Sequence, residues 1–311
     1  MSGTDSYDGE PEAGRADLAT EVFLAHRKLL FTVAYEMLGS AADAEDVLQE
    51  TWLRWVGVDL DEVRDQRAYL VRITTRQALT RLRSMGRRRE SYVGSWLPEP
   101  LLTSPDVAAD VEFAESVSMA MLLVLETLAP TERAVFVLRE VFDLAYDEIA
   151  EAVGKTPAAA RQIAHRARAH VAARRPREMV SPAQARIALA AFERAIRTGD
   201  MQGLLDILAP DVVLVGDGGG LRQTVSRPIT GAWKVARLLA ARRSRFGRII
   251  EAGLQHEPVE VNGYPALILK LDDEIDTVLA VRVDAGRITG LYAVRNPEKL
   301  ARMAHATDLS R

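Results

Sequence analysis

One segment near the middle of the chain, residues 143–171, is compatible with very few folds. Its first half places four apolar side chains on one helical face: Tyr146, Ile149, Ala150 and Val153. Gly154 then allows a tight left-handed turn, Thr156 can cap a second helix, and Pro157 suits the first position of that helix. The second helix would bury Ala160, Ile163, Ala164, Ala167 and Val171. Two apolar rows joined by so short a turn predict a helix-turn-helix, in which small alanines let the helices approach closely.

The outer face of the second predicted helix is basic. It carries Arg161, Gln162, His165, Arg166 and Arg168. Between Lys155 and Arg177 the chain has seven basic residues and no acidic one. In a helix-turn-helix, residues near the start of the second helix reach base edges in the major groove, whereas arginines further along meet phosphates. The alternative is an ordinary helical hairpin with a solvated basic face. Acid-free basic runs are uncommon on such hairpins, so we favour DNA binding.

The formal net charge of −4 and the pI near 5.9 hide a segregation of charge along the chain. Residues 1–64 contain fourteen acidic and five basic residues. A further basic block consists of Arg81, Arg83, Arg87, Arg88 and Arg89. Because DNA binding depends on the local distribution of charge and not on the sum over the chain, two separate basic segments predict a protein that contacts DNA at two places.

The composition excludes several other classes of protein. The chain has no cysteine, which excludes disulfide frameworks and thiolate metal sites, and its five histidines show no ligand spacing. No apolar run reaches the roughly 18–20 residues that a membrane-spanning helix needs. Residues 1–19 are acidic and polar, which indicates a disordered leader and no secretory signal. We therefore expect a cytoplasmic protein without membrane contact, metal or cofactor.

Residues 20–92 predict a first helical domain. Apolar spacing indicates a helix that ends at Gly39, a second helix capped by Ser40, and a third helix over 66–90. The linker that follows, 93–113, contains the apolar group Trp96, Leu97 and Pro98. Because a plain linker would be polar and flexible, we expect this group to dock on another part of the chain. The alternative is a loop that only covers the edge of a core.

The last part of the chain has a different pattern. Residues 114–178 form a second predicted helical domain with the helix-turn-helix, and 179–311 begin with two helices and continue with β-rich segments and Gly turns. This order predicts an α+β domain with a curved antiparallel sheet. Candidates for acid–base catalysis there are few: His256, Asp211, Asp217 and the run 272–274, which resembles a hairpin turn. Three glycines after Asp217 instead indicate a close approach of backbone, as at an interface.

Paired motifs in the first two domains carry a family resemblance. DAEDVLQETWLRWV and RAYLVRITTRQALTRLR, followed by LETLAPTERAVFVLREVFDLAYDEIAEAVGKTPAAARQIAHRARAHV, closely resemble extracytoplasmic-function (ECF) RNA polymerase sigma factors over about 20–175. The resemblance implies two all-α sigma domains, one for core polymerase and the −10 promoter element (20–92) and one for the −35 element (114–178). It also implies the partners: promoter DNA and core RNA polymerase, through the β′ clamp helices and the β flap.

The same resemblance assigns roles to individual residues. The polymerase clamp helices would be bound by Asp46, Gln49 and Glu50, with apolar contacts from Leu48 and Trp52. The −10 strand would be held by Arg72, Arg76, Gln77, Thr80, Arg81 and Arg83, since capture of a single strand needs stacking and positive charge. Many relatives carry Asn and Asp where this chain has Gln77 and Thr80. The −35 element would be bound by Thr156, Arg161, Gln162, His165, Arg166 and Arg168.

The linker and the C-terminal domain narrow the resemblance. The motif YVGSWLPEPL, the loop Asp217, Gly218, Gly219 and Gly220, and the NPEKL segment that begins with Asn296 and Pro297 resemble sigma factors of the sigma-J type. These have a SnoaL-like (NTF2-like), cone-shaped C-terminal extension that acts as a built-in regulator. Leu221 stands where a lysine is expected. We predict that the C-terminal domain contacts Trp96, Leu97 and Pro98 and so fixes the spacing of the DNA-binding domains, which would need a bistable interface.

Two alternative functions remain open at this point. A stand-alone helix-turn-helix regulator would bind duplex DNA tightly without polymerase. An enzyme or sensor with a DNA-binding module would bind an unidentified small ligand in residues 179–311. Neither alternative accounts for the motifs in 43–83, so we expect a sigma factor that is not an enzyme.

Overall fold

A computed structural model describes residues 10–104, 110–174, 180–241 and 254–310. The chain divides into two compact units. The helical unit consists of the described parts of Met1–Arg83, Pro130–Ala167 and Leu309–Arg311. The sheet unit consists of the described parts of Ser84–Ala129 and Arg168–Asp308. The linker therefore belongs to the same unit as the C-terminal sheet.

Three helices begin the chain: α1 (Glu10–Leu38), α2 (Ala41–Trp55) and α3 (Gln66–Glu90). Gly39 ends α1 with a left-handed φ of 66°, and the side chain of Ser40 begins α2 by accepting a hydrogen bond from the Asp43 N–H at 3.2 Å. These boundaries and the third helix confirm the sequence predictions. The fully buried Trp55 ties the end of α2 to α1, because its indole N–H donates to the Ala19 carbonyl at 2.8 Å.

The next helices are α4 (Val111–Val117), α5 (Met119–Leu125), α6 (Pro130–Phe136), α7 (Tyr146–Val153) and α8 (Pro157–Ala172). The last two form the predicted helix-turn-helix. Gly154 adopts φ 66° and ψ 45°, and the Thr156 hydroxyl oxygen accepts the Ala159 N–H at 3.2 Å. The apolar side chains predicted to face inward are buried, apart from the half-buried Tyr146. No helix in the described ranges is long and apolar enough to span a membrane.

The C-terminal domain is α+β, as predicted. Helices α9 (Pro182–Thr198) and α10 (Met201–Ile207) precede the strands, which are β1 (Leu208–Asp217), β2 (Ile229–Thr230), β3 (Leu254–Val261), β4 (Tyr264–Leu271), β5 (Glu274–Asp284) and β6 (Arg287–Val294). Residues 232–241 are helical, and the short helix α11 (Pro297–Leu300) follows β6. The strand order in the described sheet is β2-β1-β6-β5-β4-β3.

The sheet is mixed, so the prediction of an antiparallel sheet is wrong for one pair of strands. β1 runs parallel to β6, whereas the other neighbours are antiparallel. Alternation of apolar residues indicates which face of a strand is buried but not which strand lies beside it. As a consequence of the parallel pairing, β1 and β6 end side by side, and the Asp217 carbonyl accepts the N–H groups of Arg295 at 2.7 Å and Asn296 at 3.1 Å. The glycine loop and the NPEKL segment therefore lie next to each other.

Both faces of the sheet are covered by apolar side chains. On one face Phe192 and Leu204 pack in a core with the strands, and both are at most 2% exposed. On the other face the linker residue Leu97, which is fully buried, packs with Met119 and Leu300. Burial of a leucine side chain contributes about 1.5–3 kcal/mol, so this part of the linker is part of a folded core.

Asp272 and Asp273 form the turn between β4 and β5, as predicted, and Glu274 begins β5. Asp272 and Asp273 have φ values of 51° and 63°. Two consecutive residues with positive φ are the signature of the two-residue hairpin turn, in which aspartate is one of the favoured residues. Turn geometry therefore accounts for these acids without a catalytic role.

Candidate functional site

The outer face of α8 is exposed to solvent. The exposed residues include all five predicted for it: Arg161, Gln162, His165, Arg166 and Arg168. The Arg161 guanidinium lies 5.7 Å from the ring centroid of Tyr146 on α7, and that of Arg139 lies 5.2 Å from the same ring. The ring therefore restricts the position of Arg161. Thr156 is exposed as well, with its hydroxyl oxygen engaged in capping α8.

The polar stripe predicted on α2 is also exposed. It consists of Asp46, Gln49 and Glu50. Leu48 is not part of this surface: it is 2% exposed, because it lies on the face of α2 that forms the core. In the free chain Leu48 therefore offers no side chain to this surface. The exposed large apolar side chain of α2 is that of Leu53, which the sequence analysis missed and which is 69% exposed. Trp52 is half-buried, with its ring centroid 5.4 Å from that of Phe23.

Two of the predicted −10-binding arginines of α3 contact the helix-turn-helix. Arg72 forms a salt bridge to the Glu151 carboxylate at 2.8 Å. Arg76 donates a hydrogen bond to the Glu151 carbonyl oxygen at 2.9 Å. Both contacts lie within the helical unit, so α3 and α7 are joined by charged groups.

Arg81, further along α3, is held by α2. Its Nε donates to Asp43 Oδ1 at 2.7 Å, and its Nη2 bonds to the Asp46 carboxylate. Burial lowers the pKa of Arg81, but the hydrogen bonds and charges of the two aspartates outweigh burial and raise its pKa above the ordinary value. The other predicted residues are the half-buried Gln77 and the exposed Thr80 and Arg83. The side chains of Arg87, Arg88 and Arg89, and all of Arg175 and Arg177, lie outside the described residues.

Asp217, the last residue of β1, is the centre of a contact between the linker and the C-terminal domain. Its side chain is fully buried. Its Oδ1 accepts the Tyr92 hydroxyl at 2.6 Å and the Gly219 N–H at 3.0 Å. Its Oδ2 accepts the Leu97 N–H at 2.9 Å and the Lys299 ammonium at 2.7 Å. These donors satisfy both oxygens, which is what a buried carboxylate requires.

Lys299 on α11 holds the linker at several points. Besides the pair with Asp217, its Nζ donates to the Leu97 carbonyl oxygen at 2.5 Å. The same ammonium lies 4.3 Å from the centroid of the Trp96 ring and 5.0 Å from that of Tyr92, which is cation–π geometry. One side chain therefore contacts the backbone of the linker, the Trp96 ring of the linker and the ring of Tyr92, which directly precedes the linker.

Asn296, the N-cap of α11, completes this group. Its Nδ2 donates to the Tyr92 hydroxyl at 2.9 Å. Burial and the neighbouring Asp217 raise the pKa of Tyr92 above its ordinary value. A Cβ on Gly219 would lie 2.4 Å from Asn296 Nδ2, so the close approach predicted for the glycine loop is present. We call Asp217, Asn296 and Lys299 the linker clamp.

The linker then continues along the edge strand β3. Leu102 forms a β-bridge with Val261. The fully buried Asn262 accepts the Leu101 N–H through Oδ1 at 3.1 Å, and its own N–H donates to the Leu101 carbonyl at 2.9 Å. Its Nδ2 donates to the carbonyl of Val117 in α4 at 3.0 Å. The linker is therefore held by side chains and by strand pairing.

The structure brings the predicted regulatory residues together and adds three others. Pro98 is buried beside Leu97, and Gly218 and Gly220 flank Gly219 in the loop. The residues that the sequence analysis did not single out are Tyr92, Lys299 and Asn262. Lys299 lies in the NPEKL motif and Tyr92 in the YVGSW motif, so the motifs themselves could have identified both residues. The sequence around Asn262 indicates only a turn.

The acid–base candidates of the C-terminal domain do not converge on one site. His256 lies on β3, with Nδ1 3.5 Å from the Glu193 carboxylate. Asp211 is exposed, and the carboxylate of Asp217 is hydrogen-bonded to the linker through the Leu97 N–H. Within the described ranges, no group of three His, Cys, Asp or Glu side chains could hold a metal ion.

Comparisons with known proteins agree with this arrangement. Residues 22–88 match the family Sigma-70 region 2, and residues 118–171 match Sigma-70, region 4. The chain is 36% identical over 286 residues to the ECF RNA polymerase sigma factor SigJ of Mycobacterium tuberculosis, covering 89% of this chain and 91% of SigJ. It is 32% identical over 287 residues to the probable ECF sigma factor SigI of the same species, covering 91% and 95%.

A solved structure extends the similarity to the whole fold. The crystal structure of Mycobacterium tuberculosis SigJ superposes with a TM-score of 0.75 at 33% identity, and covers 92% of this chain and 99% of SigJ. The match includes both sigma domains and the C-terminal α+β domain. The helix-turn-helix, the two family matches and this full-length similarity place the chain in one family: it is an extracytoplasmic-function RNA polymerase sigma factor.

Proposed function

We propose that this sigma factor brings core RNA polymerase to promoters with α3 at the −10 element and α8 at the −35 element, and that the linker clamp regulates this step. The exposed stripe of α2 would bind the β′ clamp helices, and the second sigma domain the β flap. The exposure of the α2 stripe and of the basic face of α8 supports these assignments. The protein then acts with polymerase in the cytoplasm, and its C-terminal domain regulates without catalysing a reaction.

The regulatory part of the proposal rests on the buried carboxylate of Asp217. A loop that merely covered a core edge would need apolar side chains but no buried charge. Burying a charge is costly unless it is paired and hydrogen-bonded, and here the Leu97 N–H of the linker and the hydroxyl of the preceding Tyr92 supply part of that pairing. Without the linker in this position, the Asp217 carboxylate would lose two of its four hydrogen-bond donors.

Holding the linker restricts the two DNA-binding domains that it connects. A free segment of about ten residues would behave as a flexible chain and allow many distances between its ends. When the linker clamp holds 92–97 and strand β3 with Asn262 holds 101–103, only a narrow range of those distances remains. We therefore expect the linker clamp, when it is bound to the linker, to limit the range of distances between −10 and −35 elements that the sigma factor accepts.

The experiment is promoter-directed transcription with core polymerase and the full chain. Templates selected with the wild-type protein are varied by single base pairs in the −10 to −35 spacing. Asp217→Asn removes the buried charge, and Asp211→Asn removes an exposed charge from the same strand as a matched control. We expect wild type and Asp211→Asn to favour one spacing and Asp217→Asn to accept several, with equal affinity for core polymerase.

Two results would contradict different parts of this proposal. Hydrogen exchange first establishes whether the linker is released in Asp217→Asn. If the linker is released and the variant still prefers the same promoter spacing as wild type, the linker clamp has no regulatory role. If the wild-type protein neither binds core polymerase nor supports transcription from any selected template, the promoter-recognition role is wrong.

A further inference from the structure

Two arginines that are expected to hold promoter DNA already bind oxygens of the protein itself. Arg72 reaches the Glu151 carboxylate and Arg76 reaches the carbonyl oxygen of the same residue, at 2.8 and 2.9 Å. Tyr69 fixes Arg72 further, because its ring centroid lies 4.6 Å from the guanidinium. Arginine donors that pair with a carboxylate can pair equally with a phosphate. Glu151 therefore occupies donors that a nucleic-acid backbone would use.

A second contact joins the same two sigma domains at a buried point. Arg133 of α6 is 1% exposed, and its Nε donates to the Glu36 carbonyl of α1 at 2.9 Å. Burial lowers the pKa of Arg133 to about 9, against the opposing charge of Glu36, so the guanidinium stays charged at neutral pH. Because separating a buried charge from its partners is strongly destabilising, this contact holds the segment that leads to α7 against α1.

We propose that Glu151 is an intramolecular mask of the −10 strand site. In the free protein Arg72 and Arg76 bind Glu151. The two arginines bind the phosphates of a single DNA strand only after Glu151 has moved away. The proposal rests on the proposed function, since it takes α3 as the element that holds the −10 strand. It uses no residue of the linker clamp, which lies in the sheet unit.

The exposure of the pair sets the strength of the mask. The side chain of Arg72 is 30% exposed and that of Glu151 is 66% exposed. Ion pairs at such exposure shift an equilibrium by a factor of about 1.5 to 5 and are weakened by salt. The mask therefore lowers the affinity for DNA moderately and does not abolish it, and a strand with several phosphates displaces Glu151.

The test is binding of a fluorescent single-stranded oligonucleotide of about 20 thymidines to the full-length free protein at low salt, followed by anisotropy. Glu151→Gln keeps the size of the side chain and removes its charge. Asp147→Asn is the matched control, since Asp147 is an exposed acid on the same helix and its carboxylate forms no hydrogen bond or ion pair within the described residues. We expect Glu151→Gln to bind about 1.5- to 5-fold more tightly and Asp147→Asn to bind as wild type does.

A second arm separates the mask from a general effect of charge. In a chain that carries Arg72→Gln and Arg76→Gln, neutralising Glu151 should no longer change the affinity, because the coupled partners are absent. Equal gains from Glu151→Gln and Asp147→Asn, or no gain from Glu151→Gln, would overturn the proposal. Transcription by the wild-type protein with core polymerase is measured in parallel, so a failure of the mask is distinguished from a failure of the promoter-recognition role.

Discussion

Replacing Lys299 with methionine tests how strongly the linker clamp holds the linker. Methionine keeps much of the side-chain volume but removes the ammonium that bonds to the Asp217 carboxylate and the Leu97 carbonyl. Removing one partner of a buried ion pair costs about 3–5 kcal/mol, because the other charge remains buried. Asp217 keeps the donors from Tyr92, Leu97 and Gly219. We therefore expect the lower end, about 3 kcal/mol.

Hydrogen exchange of the linker amides measures this quantity directly. The Leu97 N–H donates to Asp217, so it exchanges when the linker leaves the domain. A loss of about 3 kcal/mol corresponds to exchange about 150-fold faster. Lys234→Met, which changes an exposed lysine of the same domain, is the matched control and should leave exchange of 92–101 unchanged. If exchange in Lys299→Met stays within about threefold of wild type, the ion pair does not hold the linker and the reasoning is refuted.

Three further predictions concern the same region. Leu97→Ala should lower the free energy of unfolding of the sheet unit by about 2–5 kcal/mol, since Leu97 is fully buried; urea unfolding measures this, and a loss below ~1 kcal/mol would contradict the packing. Gly219→Ala should destabilise by about 1–3 kcal/mol more than Gly286→Ala, because both glycines have positive φ but only at Gly219 would a Cβ meet another side chain; equal losses in thermal unfolding would refute the close approach. The raised pKa of Tyr92 means that its contribution is fully present below about pH 10 and is lost as the pH rises from there towards the raised value; alkaline absorbance titration should show a late-titrating phenol that Tyr92→Phe removes.

The helix-turn-helix could be predicted from the sequence because its determinants are local. Gly154, Thr156 and Pro157 specify the turn and the start of α8, and the apolar rows on either side specify which faces meet. Each signal lies within one short segment, so no knowledge of distant pairing is needed. The same holds for the positive φ values of Asp272 and Asp273 in the hairpin turn.

The ion pairs between helices could not be predicted in this way. Arg81 and Arg83 stand two positions apart in one basic run, yet Arg81 is held by Asp43 and Asp46 whereas Arg83 is exposed. Their difference arises from the packing of α2 against α3, which brings together residues far apart in the sequence. Leu48 shows the same limit: the family resemblance assigned it to the polymerase contact, whereas the packing of α2 places its side chain in the core.

The parallel pairing of β1 with β6 explains why the linker clamp exists at all. An antiparallel pairing would place the end of β1 beside the start of β6, and Asp217 would lie a strand length away from Asn296 and Lys299. With both strands running the same way, the three residues converge where the C-terminal ends of β1 and β6 lie side by side. The clamp is therefore a product of topology, assembled from two loops that leave the sheet at the same end.

The two groups of charged contacts differ in burial, and salt should separate them. The Lys299–Asp217 pair is 12% and 0% exposed, whereas the Arg72–Glu151 pair is 30% and 66% exposed. Salt screens exposed charges far more than buried ones. Raising the salt concentration should therefore weaken the contact of Glu151 with α3. The difference in oligonucleotide affinity between Glu151→Gln and wild type should become smaller, whereas the rate of hydrogen exchange in the linker should stay the same. The contrary result would be a hydrogen-exchange rate at Leu97 that rises with salt as steeply as the affinity gain of Glu151→Gln falls. The Lys299–Asp217 pair would then behave as a surface ion pair, and its assignment as the stronger of the two ion pairs would be wrong.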